Sequence, residues 1–299
     1  MHTPPSQPAH PPQPAHSRPR ASKPRLDPDV SSPRLHASNL DLAYEKRSIC
    51  QGLNVAIPDG SFTVIIGPNA CGKSTLLHGL SRLLKPQGGQ VVLDGRDIQD
   101  YPAKEVARRL GLLPQSSLAP DGIRVADLVA RGRYPYQNLF QQWTDADQAA
   151  VAAALDATGI GKLSDRLVDE LSGGQRQRAW IAMALAQDTD ILLLDEPTTY
   201  LDLTHQIELL ELFTDLHLAG RTLVAVLHDL NQAARYATHL IVMRDGAIVA
   251  EGAPASIITA ELIESVFHLP CRVVPDPVAG TPQVVPLGRD RSARRSPQP

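Results

Sequence analysis

Apolar runs of 4 to 6 residues alternate with longer stretches of helical period along positions 36–288. That alternation predicts βαβ units around a largely parallel sheet. Positions 63–66, 191–194 and 223–227 are apolar at nearly every residue and predict buried strands. Antiparallel pairing is expected at two places. Positions 54–57 and 61–66 flank the turn Pro58-Asp59-Gly60, and Asp245-Gly246 joins 240–243 to 247–250 as a hairpin. From about 118 to 186 no comparable strand run occurs, and the alanine-rich stretch at 145–157 predicts a helix. The pattern describes an α/β core with a helical insertion.

The ends of the chain depart from this pattern. The first 35 residues hold ten prolines and no Phe, Trp or Tyr, leaving almost nothing apolar to offset the entropy of ordering, so a disordered tail is expected there. Its histidines, His2, His10 and His16, lack the close pairing of a structural zinc site. Positions 289–299 (RDRSARRSPQP) read as a second polar tail. At 299 residues the chain still has length enough for a sizeable core. Lys plus Arg is 29 against Asp plus Glu 32, a net charge of -3, so the basic excess of a nucleic-acid binder is missing and nucleic acid is not expected as a partner. Three widely spaced cysteines argue for a reducing compartment rather than a disulfide framework. The longest apolar run, 179–186, falls far short of the roughly 20 residues of a membrane helix, and neither a span nor an export signal is expected.

Candidate chemistry is concentrated in three motifs. Gly67-Pro68-Asn69-Ala70-Cys71-Gly72-Lys73-Ser74-Thr75 matches G-x-x-x-x-G-K-[ST] between a predicted strand and a helical run. Glycines at both ends let the backbone curl so that successive N–H groups face an anion, with Lys73 reaching the β- and γ-phosphates, Ser74 offering its hydroxyl to Mg²⁺ and Thr75 adding a phosphate contact. The run ILLLDE delivers Asp195 and Glu196 to the mouth of the sheet, Asp195 placed to orient Mg²⁺ and Glu196 to polarise an attacking water. Alone, a strand followed by an acidic helix cap has the same appearance. Leu171-Ser172-Gly173-Gly174-Gln175 precedes a helical run, and small residues ahead of a helix make a second anion site. One nucleotide does not need two such sites from one chain.

LSGGQ lies about 100 residues after GPNACGKST and about 20 before ILLLDE. In that order and spacing, positions 36–288 resemble the ATP-binding-cassette (ABC) ATPases. The resemblance implies an α/β P-loop NTPase fold with a mixed core sheet, an antiparallel β-subdomain and a helical subdomain at about 118–186. It implies ATP and Mg²⁺ as cofactors, with Glu196, His228 and Gln115 as catalytic residues and Ser74, Gln115 and Asp195 at the metal. His228, after the strand at 223–227, is placed as the switch histidine on the γ-phosphate, and Gln115, after 110–113, as the Q-loop glutamine beside the membrane-subunit contact. Leu201-Asp202 is similar to the D-loop, and Tyr44 is placed as the aromatic that stacks on adenine; by itself Tyr44 fits a partly buried strand tyrosine. Ala70 stands where many relatives have glycine, a mild loss of backbone freedom.

The two anion sites make sense, within that family, for a homodimer facing head to tail, ATP on Gly67–Thr75 of one copy being closed over by Ser172–Gln175 of the other. Integral membrane permease subunits, and indirectly a substrate-binding protein, are the implied partners, at the cytoplasmic face of the inner membrane. Positions 125–136, 195–202 and 269–277 are similar to importer cassettes for ferric siderophores, with haem and vitamin B12 importers as near relatives. A DNA-repair ATPase of the same superfamily needs long coiled-coil arms, and no sustained heptad lies between Lys73 and Glu170. A small-molecule kinase would leave LSGGQ and His228 unexplained. Cys71 sits inside the phosphate loop, so thiol alkylation is expected to block ATP binding, and bound ATP to protect it.

Overall fold

The structure is a computed structural model and describes residues 33–45, 47–115, 119–137 and 143–288; the tail readings for 1–32 and 289–299 lie outside the described residues. The chain opens with β1 (Leu35–Tyr44) and β2 (Arg47–Ile57), antiparallel, with Leu35 opposite Ile57 and Tyr44 opposite Arg47. Toward its end β2 alternates buried and exposed residues, the pattern of a sheet with one dry face. β3 (Phe62–Ile66) is buried at all five positions. The expected hairpin between 54–57 and 61–66 is therefore not formed. The chain turns at Pro58, where Ser61 N–H donates to its carbonyl, but β2 stays with β1 while β3 leaves for a second sheet. A strand dry on both faces needs neighbours at both edges and cover above and below, which a half-exposed ribbon cannot supply.

Helix α1 (Lys73–Leu80) follows, then β4 (Gly88–Leu93), the short β5 (Arg96–Asp97) and α2 (Ala103–Ala107). β4 pairs with β1, giving an antiparallel sheet in the order β2-β1-β4-β5. β6 (Leu110–Leu113) leads into a helical block of α3 (Val125–Ala130), α4 (Asp145–Ala157) and α5 (Gly173–Ala186). Thr144 and Asp147 form a capping box at the start of α4. Asp147 also pairs with Arg133 at 2.8 Å where both side chains are buried, and Arg133 reaches on to the Ala186 carbonyl at the end of α5. Burial alone would raise the Asp147 carboxyl, but Arg133 and Thr144 hold it below the usual range.

β7 (Ile191–Asp195), α6 (Leu203–Leu218), β8 (Thr222–Val226), α7 (Leu230–Tyr236), β9 (His239–Arg244) and β10 (Ala247–Gly252) complete the core sheet, in the order β10-β9-β3-β8-β7-β6. Its pairings are parallel except for the β9-β10 hairpin around Asp245-Gly246. α8 (Pro254–Ile257), α9 (Ala260–Phe267), β11 (Cys271–Pro275) and β12 (Pro282–Pro286) close the described chain. Alternate residues of each core strand feed two cores. Phe62, Val64, Ile66, Leu192 and Leu194 join the cluster beneath the helices, while Ile65, Ile191, Leu193 and Val224 join the one beneath the antiparallel sheet. Each such side chain contributes about 1.5–3 kcal/mol on burial, and together they hold the sheet's C-terminal edge in place. Among the described residues no helix is long and apolar enough to cross a membrane.

Candidate nucleotide site

β3 ends at Ile66, and the chain must turn sharply to start α1. Gly67 makes the turn possible, because a Cβ there would sit 2.2 Å from the Met243 carbonyl oxygen. Gly72, at φ 105°, caps α1, and a Cβ there would meet the Cys50 sulfur at 3.0 Å. Ala70 holds a left-handed φ of 61° with a side chain present, which costs about 1 kcal/mol relative to glycine. The loop thus wraps the N-terminus of α1, and Lys73, buried, folds its ammonium back to donate to the carbonyls of Gly67 and Pro68, both at 2.9 Å. A phosphate drawn by the ammonium would meet the positive end of α1 as well.

Both carboxylates arrive from the end of β7. Asp195, the last residue of β7, is wholly buried and accepts the Ser74 hydroxyl at 2.8 Å. Burial pushes its carboxyl up, opposed by the Ser74 hydrogen bond and by His78 nearby. Glu196 turns off the strand at a left-handed φ of 52°, with one oxygen 2.7 Å from His228 Nε2 and the other accepting from the Thr199 hydroxyl at 3.3 Å. The ends of β7 and β8 thereby bring Glu196 and His228 together across 32 positions of sequence. Ser74, Asp195 and Gln115 offer hydroxyl, carboxylate and carboxamide oxygens, a hard donor set that fits Mg²⁺ completed by water and phosphate. Among the described residues no cluster of three or more His, Cys, Asp or Glu could hold a metal by itself.

Asn69, Ala70, Gly72, Lys73, Ser74 and Thr75 line one cavity of about 530 Å³ with Gln115, Glu196 and His228. Gly67, Pro68, Cys71 and Asp195 are not among its lining residues. Tyr44, half exposed at the end of β1, is not among the lining residues either; its hydroxyl lies 3.0 Å from His78 Nδ1. Cys71 corrects the sequence-based expectation of a reactive thiol. It is buried, burial pushes its thiol up, and the neighbouring Cys50, desolvated beside it, is pushed up to about 11. A thiol without thiolate character or access is a poor nucleophile.

The second anion motif faces elsewhere. Ser172 caps α5 through a reciprocal pair with Gln175, its hydroxyl accepting the Gln175 N–H and the Gln175 carboxamide accepting its own N–H. Ser172, Gly173, Gly174, Gln175 and Asp202 line a separate cavity of about 470 Å³, which shares no residue with the first. Leu171 is a correction within this motif: it is buried in the core beneath the helices and lines neither cavity, because its apolar side chain anchors the cap rather than contacts an anion. Asp202 caps α6 and pairs with His205 at 2.8 Å.

Several residues escaped the sequence reading. Arg47 and Ile49 line the first cavity from β2, with no motif to mark them. His205 and Tyr200 line the second, and His78 lies 3.6 Å from Asp195. His78 had a signal: it follows Ser74 by four positions in a predicted helix, and such pairs share a face.

Comparison with known proteins agrees with this arrangement. The family profile described as ABC transporter matches residues 50–199. Over 257 residues, 86% of this chain and 95% of the relative, the sequence is 62% identical to the ferric enterobactin transport ATP-binding protein FepC of Escherichia coli (strain K12). Among solved structures, a chain of an ABC transporter assigned to the metal-chelate type, in an inward-facing conformation, matches with a TM-score of 0.73 and 31% identity over 86% of this chain and 98% of that one. A bacterial ABC transporter cassette solved as a dimer matches with a TM-score of 0.66 and 26% identity over 73% of this chain and 98% of its own. Likeness of this extent places the chain in the ABC transporter family, as an ATP-binding subunit that hydrolyses ATP.

Proposed function

We propose that the chain, through residues 36–288, energises import of an iron(III)-siderophore complex by a separate membrane permease. Two copies work head to tail at the cytoplasmic face of the inner membrane, fed indirectly by a substrate-binding protein. The observation that carries the dimer is the pair of cavities with no lining residue in common: one holds the phosphate loop and all three catalytic candidates, the other the α5 cap. The cargo rests on the 62% identity to the ferric enterobactin protein.

In this reading the loop amides of Asn69–Thr75 and Lys73 hold the β- and γ-phosphates, with Tyr44 near the base. Ser74, Asp195 and Gln115 would hold Mg²⁺, which would neutralise charge on the phosphates. Glu196 takes the proton from the attacking water, and His228, 2.7 Å away, fixes its carboxylate and reads the γ-phosphate. The cap at Ser172–Gln175 and Asp202 of the partner copy complete the far side. ATP then favours the closed pair because its γ-phosphate touches both copies, and hydrolysis removes that bridge and lets the pair open.

The test is genetic and biochemical together. A strain lacking the gene is expected to lose growth on ferric-siderophore iron, regained with the intact gene and not with Glu196→Gln. Loss confined to haem or cobalamin would reassign the cargo, and no loss on any of these would refute the importer reading.

A further inference from the structure

α1 carries two polar residues one turn apart on the same side. Ser74 donates to Asp195 Oδ1 at 2.8 Å, and His78 places Nε2 3.6 Å from Asp195 Oδ2. Oδ2 is buried and has no hydrogen-bond partner among the described residues. The other ring nitrogen of His78, Nδ1, lies 3.0 Å from the hydroxyl of Tyr44. Tyr44 ends β1 in the antiparallel sheet, and Asp195 ends β7 in the core sheet, two elements that the sheets themselves do not pair. One imidazole, 21% exposed, therefore stands between them. Its tautomer follows from its neighbours. An acceptor carboxylate facing Nε2 calls for the N–H on that nitrogen, which leaves the Nδ1 lone pair to accept the phenolic O–H. At 3.6 Å the Nε2–H faces Oδ2 without bonding it, and a shift of roughly half an ångström would close the contact.

We propose that His78 is a positioning residue that ties Tyr44 to Asp195, so that the orientation of the tyrosine and that of the metal-side carboxylate are set together through α1. The proposal rests on the reading of Asp195 as a metal-side group and extends it to a residue outside the known motifs. Among the described residues Asp195 has only Ser74 as a hydrogen-bond donor, which constrains one of its two oxygens. A carboxylate held at one oxygen can rotate about its end, and the imidazole facing the other oxygen would supply the second constraint once that contact closes. Tyr44, half exposed, is held by the same ring, so removing its hydroxyl frees the imidazole as well.

The experiment uses the full chain, with Tyr44→Phe, His78→Ala, His78→Gln and the double variant Tyr44→Phe/His78→Ala. The first readout needs neither metal nor nucleotide: the ¹⁵N spectrum of histidine-labelled protein, where His78 is expected as the Nε2–H tautomer and is expected to shift in Tyr44→Phe. The second is the Mg²⁺ concentration that half-saturates binding of a fluorescent ATP analogue. Tyr44→Phe and His78→Ala should each raise it by about fivefold, the weight of one hydrogen bond, and the double variant should raise it no further. His78→Gln, which keeps a donor facing Asp195, should recover most of the His78→Ala loss. An Nδ1–H tautomer, additive effects in the double variant or an unchanged half-saturation point would overturn the tether. Binding of magnesium tripolyphosphate, which has no base, separates the two readings: if Tyr44→Ala weakens it as much as ATP, Tyr44 is no base platform, yet non-additivity with His78 would still establish the tether.

Discussion

The phosphate-loop cavity and the α5 cap are both built for anions, yet they are finished to different degrees. In the first, the charged groups of the phosphate loop and of the end of β7 already have protein partners: Lys73 is held by two carbonyls, Asp195 by Ser74 and Glu196 by His228 and Thr199. In the second, Ser172 and Gln175 satisfy each other, Gly173 is exposed and Gly174 half-buried, and the charged lining residues Asp202 and Arg178 are paired with His205 and Glu208. A self-bonded site keeps its geometry without ligand, whereas an exposed cap does its work only when another surface is brought to it. In the proposed dimer, the difference assigns one half of the reaction to a single copy and the other to the pair.

The comparison can be broken at several points, beginning with the largest expected effect. Glu196→Gln should lower ATP turnover by about 10²–10⁴-fold while nucleotide binding persists, since an amide is a poor base; near-normal steady-state hydrolysis would remove Glu196 from its role. Asp147→Asn should destabilise the folded chain by about 3 kcal/mol in thermal or denaturant unfolding, because it leaves the buried Arg133 without its counter-charge and loosens the block that carries the α5 cap. The sign with pH follows from the depressed carboxyl: its contribution is present above the unfolded carboxyl range and is lost as pH falls through the lowered folded value, so the acid limb of stability should flatten in Asp147→Asn.

Lys73→Ala should weaken ATP binding by roughly 10- to 100-fold, read by titration calorimetry, through loss of a charge-assisted phosphate contact. Ser172→Ala tests the other half. It should cost about 1 kcal/mol of stability through the lost cap and reduce turnover of the assembled transporter, while a single copy binds ATP as before. Equal loss of binding by single copies would merge the two sites and undo the comparison. The smallest expected effect is at Cys71: an alkylating reagent at neutral pH should leave the buried thiol of the folded chain unmodified, measured by intact mass, with or without ATP.

Much of the fold was legible because buried parallel strands are written as short unbroken apolar runs. β3, β7 and β8 each came within a residue of the bounds expected for them, and α4 matched in full. The pairing of 54–57 with 61–66 failed for a reason local pattern does not contain. A tight turn brings two strands near each other, but which sheet each joins depends on burial of both faces, and β3 found β8 and β9 far along the chain. The phosphate loop, Asp195, Glu196 and Ser172–Gln175 were legible because their backbone requirements impose residue types at fixed spacing. Leu171 was misread as a contact, and Cys71 as reactive, because membership of a motif says nothing about which way a side chain points.

By itself the sequence determined the order of elements, the loop that wraps an anion and the carboxylates at a strand end, since each depends on neighbours a few bonds apart. Only the tertiary structure decided that His78 stands between Tyr44 and Asp195, that His228 meets Glu196, and that the two anion sites of one chain lie in separate cavities. Those contacts join residues from different strands and sheets, and their distances are set by how two hydrophobic cores stack on the faces of one sheet. No local spacing carries that information.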